Sequence, residues 1–317
     1  MNTTADLHEV KITTIFDRRV DKGVIVYNKD FRAVFYSDKG FDFEFRLLSG
    51  LDKKPNPSSP PVSSGCRPGS DIDVSGFEIS ALGPTHLLAF NKFSSARPHL
   101  LVLTQDGFTR QYEPLNIDDF TALRSVLMPF FENSKRRYLA IFNCGVDSGC
   151  SRLHKHMQVF PAGGDTSMDD KKVDKDFPLW PDSEDPAVEN NLPFQCFVHH
   201  FSGDEFPSAE KLTEIYQRLV GEAECALTAF GHHPQRQEVE NSNESSSKEG
   251  VPHNVILDRR WMVVVPRRSA GTNGADANAA AYLGMVWLSD EDKMRLWTDQ
   301  GPASVLRQLG FPRSSQV

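Results

Sequence analysis

The sequence Ser151-Arg-Leu-His-Lys-His-Met-Gln-Val-Phe160 carries two imidazoles and one amide at alternating positions. These are His154, His156 and Gln158, separated by a lysine and a methionine. Because the side chains of a β-strand alternate between its two faces, the three polar groups would project from the same face of a sheet. The pattern therefore predicts a strand that presents a polar strip suited to binding an anion.

The residues before this strip form a loop of small side chains, Asn143-Cys-Gly-Val-Asp-Ser-Gly-Cys-Ser151. Glycine lets the backbone N–H groups of such a loop approach a phosphate closely. An imidazole nitrogen can attack phosphorus, and a neighbouring group can position the phosphate for that attack. A pair of partly buried histidines, or an incidental metal site, would explain His154 and His156 alone. The loop and the strip together favour catalysis, and the sequence shows no third ligand for a metal.

The composition bounds the class of protein. The chain has 317 residues, 39% hydrophobic and 25% charged, which is typical of a globular protein with a large core. It has no run of about 18 apolar residues and no apolar segment of the secretory type, so we expect neither a membrane span nor a signal peptide. The formal net charge of -8 speaks against general nucleic-acid binding. Five cysteines without a Cys-x-x-Cys motif favour reduced thiols and a cytoplasmic or nuclear location.

Apolar periodicity predicts an α+β protein. A charged helix or extended arm is expected over residues 1–22, and two long amphipathic helices over 116–131 and 208–230, the first capped by Asn116. A short helix is expected near 303–309. Strands are predicted over residues 24–27, 41–46, 85–90, 99–104, 138–142, 194–201, 254–257, 261–265 and 282–288. The strand over 138–142 would form a hairpin with the polar strip, and those over 254–257 and 261–265 would form another.

The order of the elements divides the chain. Each half has strands, a long helix and further strands, so we predict two similar halves over residues 1–190 and 191–317. Residues 55–69, rich in Pro, Ser and Gly, are expected to form a loop. Residues 235–250 are low in apolar content and rich in Ser and Glu, so we expect a disordered or poorly ordered surface loop.

Motifs elsewhere in the chain accompany the strip. They are Leu51-Asp-Lys53-Lys54-Pro55, Phe90-Asn91-Lys92-Phe93, Pro98-His99-Leu100-Leu101-Val102, His253-Asn254-Val255-Ile256-Leu257, Arg260-Trp261-Met262, Val265-Pro266-Arg267 and Gly310-Phe311-Pro312. Together with Asn143, Gly149, Ser151 and the His-x-His-x-Gln strip, this set resembles the fungal diadenosine tetraphosphate (Ap4A) phosphorylases, also called ATP adenylyltransferases. That family is a branch of the histidine-triad superfamily, whose ordinary hydrolases have a third His where this chain has Gln158.

The resemblance implies a histidine-triad-like fold with two such halves, only the first of which carries the catalytic strip. It implies phosphorolysis of Ap4A by inorganic phosphate to ATP and ADP, reversibly, through an AMP-histidine intermediate. His156 would be the nucleophile, His154 would orient or polarise it, and Gln158 would donate to a phosphoryl oxygen. The substrates would be small molecules, with no nucleic-acid or membrane partner, and we expect a monomer. No covalent cofactor is expected, although Mg²⁺ could accompany the polyphosphate.

The same resemblance implies a set of substrate-binding residues. They are Lys53, Lys54, Asn91, Lys92, Asn143, Gly149, Cys150, Ser151, Arg152, Asn278 and Met285. Without it, Lys53 and Lys54 would be interpreted as a solvated basic pair. Three positions depart from the family pattern: Arg152 stands where Gln is usual, Ala281 replaces a Gly, and Ser289 falls near where the family tends to carry a Lys.

Three other functions remain open at this point. A dinucleoside polyphosphate hydrolase would use water in place of phosphate. A hexose-1-phosphate uridylyltransferase shares the His-x-His-x-Gln strip, but the lack of Cys-x-x-Cys and the match over residues 254–267 disfavour it. A nucleotide-binding sensor without turnover would not need an intact strip. Gln158 is neutral and cannot take a proton from water, which agrees with phosphate as the acceptor.

Overall fold

The computed structural model describes residues 9–29, 31–51, 66–163, 177–231 and 250–313. Its strands are β1 (Arg32–Asp38), β2 (Phe41–Leu47), β3 (Glu78–Leu82), β4 (His86–Phe90), β5 (Leu100–Thr104), β6 (Tyr138–Cys144), β7 (His156–Pro161), β8 (Phe197–His200), β9 (His253–Leu257), β10 (Trp261–Pro266), β11 (Gly271–Thr272), β12 (Ala275–Asp276) and β13 (Met285–Leu288). Its helices are α1 (Glu9–Asp21), α2 (Ile117–Asn133), α3 (Pro186–Asn190), α4 (Ala209–Ala229), α5 (Glu291–Thr298) and α6 (Pro302–Leu309). The predicted α+β class is confirmed.

An eight-stranded antiparallel sheet forms the centre of the molecule, in the order β3-β4-β5-β7-β6-β9-β10-β8. Both predicted hairpins are present: β6 pairs with β7, with Ile141 opposite Gln158, and β9 pairs with β10. The sheet is continuous across the predicted boundary near residue 190, because β6 pairs with β9. The division into halves at that residue stays a prediction.

Alternation along the central strands separates two hydrophobic cores. Val159 of β7 lies in a core under α2 and α4, whose apolar stripes are buried as their periodicity predicts. Its neighbour Phe160 lies in the core of the opposite face. That face is covered by α5, α6 and a smaller sheet of order β1-β2-β13. The polar strip, which alternates with Val159, is therefore directed to the side of the smaller sheet.

Helix α2 begins at the predicted cap. The Asn116 side chain accepts hydrogen bonds from the backbone N–H groups of Asp118 and Asp119, and Asp119 accepts one from the Asn116 N–H in return. Asp119 is buried, and it also bonds Lys155 Nζ at 2.7 Å and His86 Nε2 at 3.0 Å. Burial raises the pKa of Asp119, but the hydrogen bonds from His86 and Lys155 outweigh burial and hold that pKa below its usual value. Lys155, which precedes β7 and points away from the polar strip, is thus bonded to the start of α2.

Several expectations differ from the structure. The strand predicted over 24–27 is wrong: Val26 makes one isolated bridge to Phe93, because no neighbouring strand continues the pairing. Four strands and two helices were not predicted: β1, β3, β11, β12, α3 and α5. Lys53, Lys54 and nearly all of the segment 235–250 lie outside the described residues. Within the described ranges, the structure has no helix long and apolar enough to span a membrane.

His253 is buried at the start of β9, and its ring is neutral. Its Nδ1–H donates to the Val251 carbonyl at 2.6 Å, and its Nε2 lies 3.0 Å from the Tyr216 hydroxyl. That hydroxyl accepts from the Leu115 N–H, which leaves its own proton for the imidazole. Burial lowers the pKa of His253 to about 4.

This pKa predicts a pH dependence of stability. The unfolded histidine takes up a proton near pH 6.5, whereas the folded one resists protonation down to about pH 4, so the free energy of unfolding should fall as pH falls through this window. The contribution of His253 should be on the order of 3 kcal/mol over the whole window. Denaturant unfolding at several pH values between 8 and 4 gives the free energy of unfolding as a function of pH. This free energy should fall less steeply with decreasing pH in His253→Gln than in the wild type. An unchanged slope, after correction for the stability at pH 8, would contradict the assignment.

Candidate active site

A cavity of about 540 Å³ lies beside the polar strip, between the large sheet and the loop that precedes β13. Many of the predicted site residues line it: Asn91, Asn143, Gly149, Cys150, Ser151, Gln158 and Asn278. Apolar side chains, including Phe93, Val286 and Trp287, form another part of its wall. The cavity therefore combines polar groups at one end with an aromatic and aliphatic surface.

His156 begins β7 and has 6% of its surface exposed. Its Nδ1 lies 2.8 Å from the main-chain carbonyl of His154, and because a carbonyl can only accept, Nδ1 must carry the proton. In the neutral ring, Nε2 is then the nitrogen with the lone pair. In this tautomer Nε2 can act as a nucleophile.

The ring of His154 bonds away from His156. Its Nε2–H donates to the Thr104 carbonyl at 3.0 Å, and its Nδ1 lies 2.8 Å from the Ser70 hydroxyl, which can donate to it. Burial lowers the pKa of His154 and favours the neutral ring. The carboxylate of Asp71 accepts from the backbone N–H of His154 at 2.9 Å. The backbone of His154, rather than its ring, contacts the His156 imidazole in this structure.

The amide of Gln158 is oriented by a buried histidine. The Ser95 N–H donates to His99 Nδ1 at 3.2 Å, so the proton of neutral His99 is on Nε2. That Nε2–H donates to Gln158 Oε1 at 2.9 Å. The NH₂ group of Gln158 is thereby left as the end of the amide that can serve a ligand. Sequence analysis noted His99 only within a motif, because nothing local links it to a residue 59 positions away.

The side chain of Asn143 is fixed in the same way. Its Oδ1 accepts from Asn254 Nδ2 at 2.8 Å and from the Ala279 N–H at 3.0 Å. Asn143 lines the cavity, and its Nδ2 is the donor that these bonds leave for a ligand. The orientation of this amide therefore depends on β9 and on the loop before β13, both of which come from the second half of the sequence.

Behind Asn143 lies Arg267, whose side chain has no exposed surface. All five of its N–H groups bond to oxygen atoms, none from a carboxylate: those of Leu309, Ser148, Asn254, Ser269 and Ala277. Burial lowers the pKa of Arg267, but a guanidinium keeps its proton in proteins. A positive charge is therefore buried directly behind the loop that contains Ser148.

Gly149 allows two loops of the site to touch. Its φ is +79°, and a Cβ atom there would lie 2.2 Å from the carbonyl oxygen of Ala277. That same carbonyl accepts a hydrogen bond from Arg267 at 3.1 Å. The close approach joins the loop that precedes the strip to the loop that carries Asn278.

Other predicted binding residues take different positions. Lys92 is exposed, with its Nζ 5.8 Å from the centres of the Phe77 and Phe93 rings. Arg152 donates to the Ser151 carbonyl at 3.1 Å. Met285 is buried in the second core, and Asn278 caps a short 3₁₀ helix by accepting from the Ala280 N–H. Five predicted site residues that the structure describes do not line the cavity: His154, His156, Lys92, Arg152 and Met285.

Sequence analysis missed one cation at the cavity. Lys293 lies in the first turn of α5, and it is the only Lys or Arg among the described residues that line the cavity. The available signal was the departure at Ser289, four positions earlier, where the family tends to carry a lysine. No group of three or more His, Cys, Asp or Glu that could hold a metal ion exists within the described ranges.

Two domains of known protein families match this chain. Residues 28–174 match the Ap4A phosphorylase N-terminal domain, and residues 190–312 match the ATP adenylyltransferase C-terminal domain. Diadenosine 5',5'''-P1,P4-tetraphosphate phosphorylase 2 of Saccharomyces cerevisiae is 28% identical over 246 residues, covering 72% of this chain and 70% of that protein. Protein APA1 of the same yeast is 26% identical over 236 residues, with the same coverage.

Solved structures show the same fold. The crystal structure of yeast Ap4A phosphorylase Apa2 superposes with a TM-score of 0.70 at 20% identity, covering 97% of this chain and 98% of that one. The crystal structure of Apa2 in complex with Ap4A gives a TM-score of 0.64, covering 96% and 97%. The two matched domains define the class of protein, an ATP adenylyltransferase with the α+β fold of Apa2. Since the two matched domains together span most of its length, the chain belongs to the Ap4A phosphorylase family.

The close contact of Gly149 with Ala277 predicts that a side chain at position 149 destabilises the protein by steric clash, in addition to the strain of a positive φ. Gly149→Ala should lower the thermal midpoint of unfolding by more than Gly83→Ala. Both positions have positive φ, which costs alanine about 1 kcal/mol, but a Cβ at Gly83 meets nothing within 4 Å. Differential scanning calorimetry of the two variants would measure this. Equal midpoints would show that the loops can separate without loss of stability.

Proposed function

We propose that this chain catalyses the reversible phosphorolysis of Ap4A, in which inorganic phosphate and Ap4A give ATP and ADP. Membership in the family supports the reaction. The observation that carries the proposal is the hydrogen bond from His156 Nδ1–H to the His154 carbonyl, which leaves Nε2 as the attacking atom. We assign the nucleophile to His156 on this basis.

The reaction proceeds in two displacements. His156 Nε2 attacks the α-phosphorus of Ap4A, a P–N bond forms, and the P–O bond to the departing ATP breaks. The phosphorylated imidazole carries a positive charge, which the bond from Nδ1–H to the His154 carbonyl stabilises. An oxygen of inorganic phosphate then attacks the same phosphorus, the P–N bond breaks, and ADP leaves. The reverse direction joins ATP to the AMP group that ADP supplies.

Hydrogen-bond donors that are already oriented before the reaction stabilise the negative charge that develops on the α-phosphate. The NH₂ group of Gln158 and the Nδ2 of Asn143 are the two donors whose orientation is fixed by buried partners. Gln158 offers no base that would activate water, so phosphate is the favoured acceptor. We assign α-phosphate binding also to the loop of Gly149, Cys150 and Ser151.

The remaining phosphates require cations. We assign this role to Lys293, to Lys92 at the rim, and to one of Lys53 or Lys54, with Arg152 beside the loop. Mg²⁺ bound to the polyphosphate would reduce the charge that these side chains must neutralise. Asn91, Asn278 and Met285 are assigned to the surroundings of the nucleotides. We further propose a monomer that acts in the cytoplasm, and also in the nucleus.

Analysis of the products tests the reaction. With inorganic phosphate, purified protein should convert Ap4A to equal amounts of ATP and ADP, whereas without phosphate it should release no more than one ATP per active site. A hydrolase would turn over without phosphate and give AMP with ATP, or two ADP. Steady turnover in the absence of phosphate would therefore replace this proposal with the hydrolytic one.

The assignment of the nucleophile makes a sharper prediction. His156→Ala should fold and bind nucleotide but lose turnover by several orders of magnitude, because Gln158 is not nucleophilic and the His154 ring is bonded to Thr104. His154→Ala should be milder, since alanine retains the carbonyl that accepts from His156. The measurement uses Ap4A labelled at the α-phosphates, without inorganic phosphate, and detects acid-labile, base-stable label on the protein.

Stereochemistry provides an independent check on the same assignment. Two in-line displacements retain the configuration at the transferred phosphorus, whereas one displacement inverts it. Label that persists in His156→Ala, or product of inverted configuration, would require direct attack by phosphate or water.

The role of Lys293 predicts a change in substrate affinity. Lys293→Met should raise KM for Ap4A on the order of ten-fold, which is the effect of one hydrogen bond to a charged group, with a smaller change in kcat. Arg295→Met is the matched control, because Arg295 is exposed on the same helix, bonds Asp292 and does not line the cavity. The effect at Lys293 should shrink as salt increases. Equal KM values in the two variants would remove Lys293 from the binding site.

A further inference from the structure

The ladder between β6 and β7 stops just before the catalytic residues. It runs from Tyr138 opposite Pro161 to Ile141 opposite Gln158. Two residues further, the same register would place Asn143 opposite His156, but there the strands separate. On the opposite edges of these two strands the pairing continues, with Asn143 opposite Asn254 of β9 and His156 opposite Leu103 of β5.

The side-chain amide of Gln111 occupies the gap. Its Oε1 accepts from the His156 N–H at 2.8 Å, and its Nε2 donates to the His156 carbonyl at 3.1 Å and to the Asn143 carbonyl at 3.0 Å. An amide inserted between two strands thus replaces the direct hydrogen bonds that the ladder would have formed. The backbone N–H and the two carbonyls also fix which end of the amide is oxygen.

The backbone of Gln111 is anchored on both sides of the site. Its N–H donates to the Leu153 carbonyl at 2.7 Å, and its carbonyl accepts from the Gly145 N–H at 3.1 Å. Gln111 is 2% exposed, and both ends of its side-chain amide bond the backbone of His156 and Asn143. One buried residue therefore connects the loop that follows Asn143 to the segment that leads into His156.

We propose that Gln111 is a positioning residue. It sets the separation and mutual orientation of His156, the nucleophile, and Asn143, whose Nδ2 donates a hydrogen bond to the phosphate. This inference rests on the function proposed above. If the two strands closed into a regular ladder, both side chains would move together with their backbones. The amide holds the strands apart by a fixed amount while satisfying their buried polar groups. Because attack on phosphorus needs near-correct geometry, a displacement of about 1 Å can cost on the order of 100-fold in rate.

The chain offers a matched control for this test. Gln105 also donates from its Nε2 to two backbone carbonyls, those of Gly83 and His86, at 3.2 and 3.3 Å. It lies at the end of β5 and contributes nothing to the cavity. Gln105→Met therefore removes the same kind of hydrogen bonds as Gln111→Met without disturbing the gap between β6 and β7.

The experiment measures the chemical step directly. Excess enzyme is mixed with α-labelled Ap4A without inorganic phosphate, and the rate at which label reaches the protein is followed by rapid quench. Gln111→Met should slow this step by roughly 10- to 100-fold, with KM for Ap4A changed by no more than about three-fold. Gln105→Met should keep the wild-type rate. Thermal midpoints, measured in parallel, correct for any unfolded protein.

A second variant distinguishes positioning from structural support. The carboxylate of Gln111→Glu can still accept from the His156 N–H, but it faces two carbonyls without a donor. Protonation restores one donor, so its labelling rate, divided by the wild-type rate at each pH, should rise as pH falls, whereas that of Gln111→Met should stay flat. This readout also stands if Gln111→Met fails to fold.

The outcomes separate the two proposals. Wild-type labelling rates in folded Gln111 variants, losses equal to that of Gln105→Met, or losses that follow only the unfolded fraction would overturn the positioning role. Failure of both Gln111 variants to fold at every pH would also overturn it in favour of a purely structural role. Absence of label in the wild type itself would refute the histidine intermediate instead.

Discussion

The guanidinium of Arg267 imposes the strongest constraint on this structure. A side chain without exposed surface must satisfy five N–H groups inside the protein, and it does so with oxygens from four separate segments, around Ser148, Asn254, residues 269–277 and Leu309. The carbonyl of Ser148 also accepts from Asn254 Nδ2, and that of Leu309 also accepts from the Arg268 N–H, so these two oxygens have a second donor. A buried oxygen that loses its donor costs about 1–3 kcal/mol, so the carbonyls of Ser269 and Ala277 depend most on Arg267. The arrangement of the loops around the cavity therefore follows from the donor geometry of one residue.

This constraint connects the residues after 190 to the polar strip before them. Asn254, which accepts from Arg267, orients the amide of Asn143 across the β6–β9 pairing. His156, the proposed nucleophile, thus comes from the residues before 190, whereas the residues after 190 orient the Asn143 amide and provide the loop with Asn278. Neither the residues before 190 nor those after it orient the polar side chains of the cavity alone. The sheet that joins them is therefore part of the site as well as part of the fold.

The sequence predicted what depends on local periodicity. The strip, both hairpins, the stripes of α2 and α4 and the cap at Asn116 follow from spacing that neighbouring residues alone reveal. The roles of Gln111, His99 and Arg267 could not be predicted, because each bonds residues that are distant in sequence. No local pattern distinguishes these three residues from other glutamines, histidines and arginines. The strand expected over 24–27 had suitable side chains but found only one bridging partner, Phe93, so its apolar character serves packing instead. The roles of Lys53 and Lys54 stay predictions.

The electrostatics of the site reconcile an acidic protein with a polyanionic substrate. The net charge of -8 is spread over the surface, where salt screens it within about 10 Å at 0.1 M ionic strength. The charge of Arg267 is buried, so solvent screens it far less, and it acts at short range on the loop that contains Ser148 and Gly149. The hydrogen bonds of Arg267 to neutral oxygens satisfy the guanidinium without cancelling its charge. An arginine paired with a carboxylate at this position would have held the loops equally well, but it would have contributed little field to an anion in the cavity.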